Sequence, residues 1–242
     1  MGRLPGRPGT DQSPANRSRL QGTHSSLPSA LTSCFLLAPE RPICETCAMT
    51  STSCDLYPVL PASFDNDDML ATLPIILAHP EVTALRIPGD HRLNETELNT
   101  LLKFLHESEV ALIVDVGTDL STAVPELLGE SDGLHAPDPL QLTALRKQLE
   151  GDIQIGCRCQ TRDDAMKAGE TGADYVAFTP TELDILRWWV SVMELPAVAE
   201  EITTPEAAVS ARKAGADFLA IPLLLDDSDE ARFTAILGAL AA

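Results

Sequence analysis

The chain has 242 residues, 44% hydrophobic and 22% charged, enough for one sizeable globular domain and short for two. Its formal net charge is -19; residues 1–48 hold five Arg against three acids, so the 12 basic and 33 acidic residues beyond them leave the remainder at -21, a surface that repels nucleic acid and anionic lipid. No run of 18 uncharged apolar residues occurs, and LTSCFLLAP is too short and too far from the start for a secretory signal, so no membrane span is expected and the expected location is cytoplasmic.

Residues 1–48 are rich in Pro, Ser, Gly and Arg without a sustained apolar period, and are read as a disordered extension ahead of a domain spanning 49–242. Met49, directly before the first strand, is a candidate true start; an Arg- and Ser-rich transit peptide is the competing reading. Within this stretch Cys44 and Cys47 have zinc-ligand spacing, but no second close pair or His pair accompanies them nearby.

From Cys54 onward apolar runs alternate with helical patterns. The first strand is Asp55 to Leu60, weakened by Pro58, and a helix with acids in its first turn follows from about Asn66 to Ala78. Val82 to Ile87 is the second strand, Asn94 caps a helix reaching about Glu107, and Val110 to Asp115 is the third strand. The third helix, about Asp119 to Leu128, should be short or kinked because Pro125 interrupts it. Asp132 to His135 is the fourth strand, and the next helix, Asp138 to Leu149, offers Leu140, Leu142, Leu145 and Leu149 to the core.

Residues 151–225 then repeat one pattern twice. Each copy has a strand, a Thr-led helix closed by Gly172 or Gly215, and an apolar strand entered at Gly-Ala-Asp, with 43 residues between the two glycines. Strands five to eight are Asp152–Cys157, Ala173–Phe178, Pro196–Glu200 and Ala216–Ile221, and their helices begin near Thr161, Thr181, Thr203 and Asp229. Cys157 and Cys159 flank Arg158 on one side of a strand and are read as two reduced thiols. The Trp188-Trp189 pair is read as barrel-wall packing, or as an interface marker where one ring is exposed.

Eight strand–helix units in about 190 residues, with no Gly-rich fingerprint after strand one, predict an α/β fold: a (β/α)8 TIM barrel of one domain. Chemistry then belongs where strands end, which selects Pro61, Arg86, Asp115, His135, Arg158, Thr179, Glu200 and Glu201. His135 can act as acid, base or donor near neutral pH, or be satisfied by a neighbour. Arg86 and Arg158 can grip a phosphate or carboxylate, or pair with Asp115 and Glu200. No nucleophile–base pair is apparent, and two adjacent glutamates are a weak magnesium signal.

The segments ALIVDV, DGLHAPDPLQLTALRKQL, IGCRCQTRDDAMKAGETGADYVAFTP and LPAVAEEITTPEAAVSARKAGADFLAIPLLL resemble the thiamine-phosphate synthase and thiazole tautomerase superfamily of (β/α)8 barrels. The resemblance covers residues 54–242 and is densest over 132–225. It implies coupling of a hydroxymethylpyrimidine diphosphate to a thiazole phosphate, with Mg2+ shielding the departing diphosphate. It also implies which groups have changed. Of the Gln-x-Arg-x-Lys pattern of strand two only Arg86 is kept, in Ala84-Leu85-Arg86-Ile87-Pro88, and the Asn-Asp ending of strand three becomes Asp115-Val116. The later metal-binding Asp finds a counterpart only in Asp138, by a shift of register, and the Ser-Thr after strand five becomes Arg158-Cys159. The Thr-rich, Lys-containing loop after strand six shrinks to Thr179-Pro180-Thr181, and Glu200-Glu201-Ile202 replaces the phosphate-cradling Gly-Gly-Ile.

Losing the Lys, a metal carboxylate and the backbone anion nest while gaining two glutamates disfavours polyphosphate, since one good phosphate or oxyanion donor is worth about 3 kcal/mol. The expectation is a synthase-like barrel of thiamine metabolism with degenerate transferase activity. Mg2+ is required only where the family activity persists, and no other cofactor is implied. The alternatives are a non-catalytic binding or regulatory barrel and an enzyme of altered specificity using His135. A small molecule at the barrel mouth is the expected partner, and homo-oligomerisation stays open.

Overall fold

Eight apolar runs, each followed by a helix, dictate the architecture, and the computed structural model describes it over residues 54–117, 120–149 and 153–242. The readings made for residues 1–48, Met49 and the Cys44–Cys47 pair lie outside the described residues. The strands are β1 (Asp55–Val59), β2 (Ala84–Pro88), β3 (Ala111–Asp115), β4 (Gly133–Ala136), β5 (Gln154–Arg158), β6 (Tyr175–Phe178), β7 (Ala197–Ala199) and β8 (Phe218–Pro222). They close in sequence order into a barrel in which every neighbouring pair, β8 with β1 included, is parallel. The helices are α1 (Asn66–Leu77), α2 (Glu95–Ser108), α3 (Pro125–Glu130), α4 (Pro139–Gln148), α5 (Arg162–Thr171), α6 (Leu183–Val192), α7 (Pro205–Ala214) and α8 (Ser228–Ala241). This is the (β/α)8 barrel that the alternation predicts.

Local chemistry starts and stops these helices where the sequence says it should. Asn94 and Thr161 form capping boxes with Glu97 and Asp164, and Asp138 and Thr204 accept hydrogen bonds from the third residue of their helices. Gly172 and Gly215 end α5 and α7 in the left-handed region, at φ 91° and 99°. Two expectations fail. Pro125 does not interrupt a helix but occupies the first position of α3, where its missing N–H costs nothing, and a 3-10 turn at Leu120–Thr122 precedes it. Leu140 is 81% exposed, because the face of α4 that buries Leu142 and Leu145 excludes a residue two positions earlier.

Pro58 leaves its mark on the sheet. Leu56 and Leu60 donate their N–H groups towards the β2 side, to Glu81 and Arg86, whereas Asp55 donates towards β8. Pro58 falls on the β2 side and cannot donate, so the β1–β2 ladder is thin while β1–β8 is continuous over five residue pairs.

Aspartates at the strand entries, two of them in the Gly-Ala-Asp turns, do structural work at the opposite end from the site. Asp132, Asp174 and Asp217 each stand just before β4, β6 or β8 and accept the N–H of Leu112, Ile155 or Ala197 on the preceding strand, at 2.6–2.9 Å. Three clasps of one kind thus fix register at the N-terminal face, which in this fold serves stability.

The core has two parts. A large shell between strands and helices buries Trp189, whose indole N–H donates to Leu195 O, and Trp188 lies half-buried beside it under Arg162. Cys157 and Cys159 are fully buried in this shell. Contact with Cys157 and burial push the Cys159 thiol well above its ordinary range, and burial pushes Cys54 up to about 12, so both are inert thiols. The smaller part fills the barrel itself with Tyr57, Tyr175, Phe218 and small residues such as Ala84, Ala177 and Ala220. Among the described residues no helix is long and apolar enough to cross a membrane.

Candidate functional site

Period-two alternation aims Arg86, Asp115, His135, Arg158 and Glu200 inward at the C-terminal ends of β2, β3, β4, β5 and β7, and the structure brings them together. Glu200 is the hub. Its Oε1 takes Arg86 Nη1 at 2.5 Å and lies 3.5 Å from His135 Nε2, while Oε2 lies 3.3 Å from Arg158 Nε. Glu201 reaches back to Arg158 Nη2 at 2.9 Å, and Asp115 Oδ2 stands 3.9 Å from Arg86 Nε. Glu200 and His135 are buried, at 3% and 2% exposure, whereas Glu201 is exposed.

Burial works to raise the Glu200 carboxyl, but Arg86, His135 and Arg158 together hold it below the usual carboxylate range. Arg86 is likewise opposed by burial and kept firmly charged, mainly by Glu200. His135 goes the other way: burial, then the Arg86 charge, lower it to about 4, against the pull of Glu200. Its ring is therefore neutral at pH 7, and its approach to Glu200 is a long polar contact, not an ion pair.

That neutrality sets a direction through the barrel. A carboxylate only accepts, so the proton of His135 belongs on Nε2, facing Glu200, and Nδ1 accepts from the Tyr175 hydroxyl at 3.0 Å. Tyr175 in turn meets the Tyr57 hydroxyl at 3.1 Å, and Arg86 lies 5.7 Å from the centre of the Tyr57 ring. Burial raises both phenols, keeping them protonated. The Tyr175 ring crosses the barrel over Gly156, where a Cβ would stand 1.8 Å from Cζ. Gly156 is thus the residue that admits the ring.

The two tyrosines and Gly156 escape a search confined to strand ends. Counting back in twos from Thr179 and Arg158 reaches Tyr175 and Gly156 and would have found them. The structure does not bring Thr179 and Asp138 into the charge network. Thr179 pairs with Thr181 and takes part in capping the turn before α6, and the Asp138 carboxylate accepts Gln141 N–H as the cap of α4. Pro61 is half-buried in the loop after β1.

Asp115 also lines a cavity of about 270 Å3 at the tips of β1, β2 and β3, with Leu60, Pro88, Asp90 and Gly117. A larger groove of about 500 Å3 lies outside the barrel between α1 and α8, lined by Asp68, Ile75, Asp226 and Glu230 among others. It contains none of the strand-tip charges, so the smaller cavity is the one joined to the site.

A model of the thiamine monophosphate synthase family matches residues 56–222, strand one to strand eight. The chain belongs to that family. The thiamine-phosphate synthase of Rhodospirillum centenum is 32% identical over 189 residues, 70% of this chain and 88% of that protein. That of Erythrobacter litoralis is 39% identical over 118 residues, 42% of this chain and 55% of that protein. Among solved structures, thiamine phosphate pyrophosphorylase from Pyrococcus furiosus superposes with a TM-score of 0.60 at 17% identity, covering 79% of this chain and 97% of its own.

The donor set does not suit the magnesium ion that the synthase reaction implies. Asp138 caps a helix, Asp115 stands beside a guanidinium, and among the described residues no group of three or more His, Cys, Asp or Glu side chains is placed to share a metal.

Proposed function

We propose that this member of the thiamine monophosphate synthase family keeps the barrel without the coupling chemistry, and holds a small molecule non-covalently at its mouth. The observation that supports this is Glu200. At the tip of β7, where the family resemblance puts a phosphate-cradling glycine, stands a buried carboxylate bound to the two arginines that a phosphate would need. A diphosphate would have to displace it, and stripping a buried carboxylate of its partners costs about 3–5 kcal/mol. Glu201 supports the same reading, because its backbone sits at φ 56°, the left-handed conformation that a glycine adopts freely. The turn keeps a glycine's shape while carrying an acid.

His135 lies beneath the ion pairs, neutral and enclosed, and acts in this reading by orienting Glu200 and not by exchanging protons with a ligand. The test is direct. The full chain is incubated with hydroxymethylpyrimidine diphosphate and thiazole phosphate, with and without Mg2+, while thiamine phosphate formation and heats of binding are followed. No product and no magnesium-dependent heat at millimolar ligand are expected; turnover in the range of working enzymes, about 1 per second or more, would overturn the proposal.

A further inference from the structure

We propose that the groove between α1 and α8 is the seat of the chain's own N-terminal segment, residues 17–41, with apolar side chains on its floor and arginines on its rim. This seat lies on the outside of the barrel and is independent of the chemistry at its mouth.

The groove, about 500 Å3, has an apolar floor and an acidic rim. Ile75 is 46% exposed in it with Leu225 alongside, and Leu224, adjacent in the chain, is 59% exposed. Asp68, Asp226, Asp227 and Glu230 supply four carboxylates, and among the described residues no Lys or Arg lines it. One wall is held firmly: the buried Asp229 accepts the N–H groups of Leu224 and Leu225, at 3.1 and 2.7 Å, and pairs with Arg232. An apolar strip edged by acids suits an occupant that is apolar and basic at once.

Residues 17–41 have that chemistry. They carry Arg17, Arg19 and Arg41 against one acid, Glu40, and the run Leu31-Thr32-Ser33-Cys34-Phe35-Leu36-Leu37 lies between the arginines. The chain beyond residue 48 holds 12 basic and 33 acidic residues, so charge draws the segment towards the barrel in general, and the apolar floor favours this groove over the rest of the surface.

The point of attachment favours the same place. In the closed barrel β1 stands between β8 and β2, and the groove lies outside it, between the helix that follows β1 and the helix that follows β8. The segment therefore joins the barrel directly beneath its seat. That junction is pinned, since the Cys54 thiol donates to Ala216 O at 3.3 Å and Asp55 N–H to Asp217 O at 3.2 Å. Leu37 precedes Cys54 by 17 residues, which reach about 56 Å when extended, while the 12 residues of α1 are only about 18 Å long. A tether of this length gives an effective concentration of about 1 mM, so a seat of only about 0.1 mM affinity stays filled in about nine molecules of ten.

The experiment follows the full chain by mass spectrometry under two probes: trypsin, cutting after Arg17 and Arg19, and iodoacetamide, modifying Cys34. Both reactions should run about tenfold slower than in a free peptide of residues 10–41, and high salt should speed the tryptic cuts. Asp227→Lys with Glu230→Lys, and separately Ile75→Glu, all on exposed positions, should bring both rates to those of the peptide. Glu170→Lys with Glu194→Lys makes the same change of net charge on exposed residues of α5 and the loop after α6, and should leave the protection intact. Melting curves confirm that each variant is folded. Cleavage and alkylation as fast in the parent chain as in the peptide, or protection indifferent to both groove variants, would overturn the proposal. So would equal loss of protection in the Glu170 and Glu194 variant, which would mean attraction to the acidic surface at large. Protection that grows with protein concentration would overturn it in favour of a second copy supplying the segment.

Discussion

Replacing Glu200 by Gln keeps the shape of the hub and removes its charge. Arg86, only 11% exposed, then carries a buried charge whose closest partner has become a neutral amide, and Asp115 at 3.9 Å is too distant to compensate. Breaking a buried pair in this way costs about 3–5 kcal/mol. The Arg158 contact adds little, because that side chain is 37% exposed and water screens it. For a domain of this size each kcal/mol lowers Tm by about 2–4 °C, so Glu200→Gln should melt roughly 10 °C below the parent chain. Calorimetry and urea unfolding measure the loss, and a double-mutant cycle with Arg86→Met assigns it. The double variant should recover about 2 kcal/mol relative to the sum of the single effects. The same substitution removes the charge that holds Arg86 and one of the two that hold Arg158, so inorganic pyrophosphate, which should not stabilise the parent chain, should raise the Tm of Glu200→Gln. A loss below about 1 kcal/mol, or strict additivity in the cycle, would refute the view that Glu200 holds the mouth together.

Protonation gives a second test. The His135 ring protonates near 6.5 when unfolded but only at about 4 in the barrel, so the unfolded chain binds more protons between these values. Its contribution is present in full above 6.5 and falls as pH drops towards 4, by on the order of 3 kcal/mol, and His135→Asn should lack this part of the pH profile. Glu200, held below its ordinary value, adds a further loss at still lower pH. Gly156→Ala should cost at least about 2 kcal/mol in urea unfolding, since its methyl would meet the Tyr175 ring; an unchanged midpoint would mean that the ring lies elsewhere. Glu201→Gly should stabilise by about 1 kcal/mol, because relief of the φ 56° backbone outweighs an exposed ion pair, and any loss of stability would show the Arg158 contact to be the stronger effect.

The barrel was legible because its signals are local and repeated: apolar runs of four to six residues, Thr and Asn caps, and glycines at Gly172 and Gly215 that only a left-handed turn requires. Pro125 was misread because one residue type both breaks helices and begins them, and the sequence does not show which turn precedes it. Leu140 was grouped with Leu142 by composition, although two residues apart on a helix point to different sides. Strand ends did bring Arg86, Asp115, His135, Arg158 and Glu200 into one place, since position along a barrel strand follows from the alternation alone. What remained hidden was how they combine. Sequence left the arginines open to anions or to acids, and only the 2.5 Å contact with Glu200 decides that Arg86 is taken. The resemblance offers Asp138 as a metal ligand only by a shift of register, and in the structure this Asp-Pro pair starts α4, the carboxylate capping it.

The aspartate clasps before β4, β6 and β8 bind the strands two by two, β3 to β4, β5 to β6 and β7 to β8, all on the floor of the cylinder. Stitching the base in this way lets alignment of the staves survive changes at the rim. Such a vessel can lose one chemistry and acquire another without being rebuilt, and exchanges at the tips of β2, β5 and β7 can accumulate while the hoop beneath them holds.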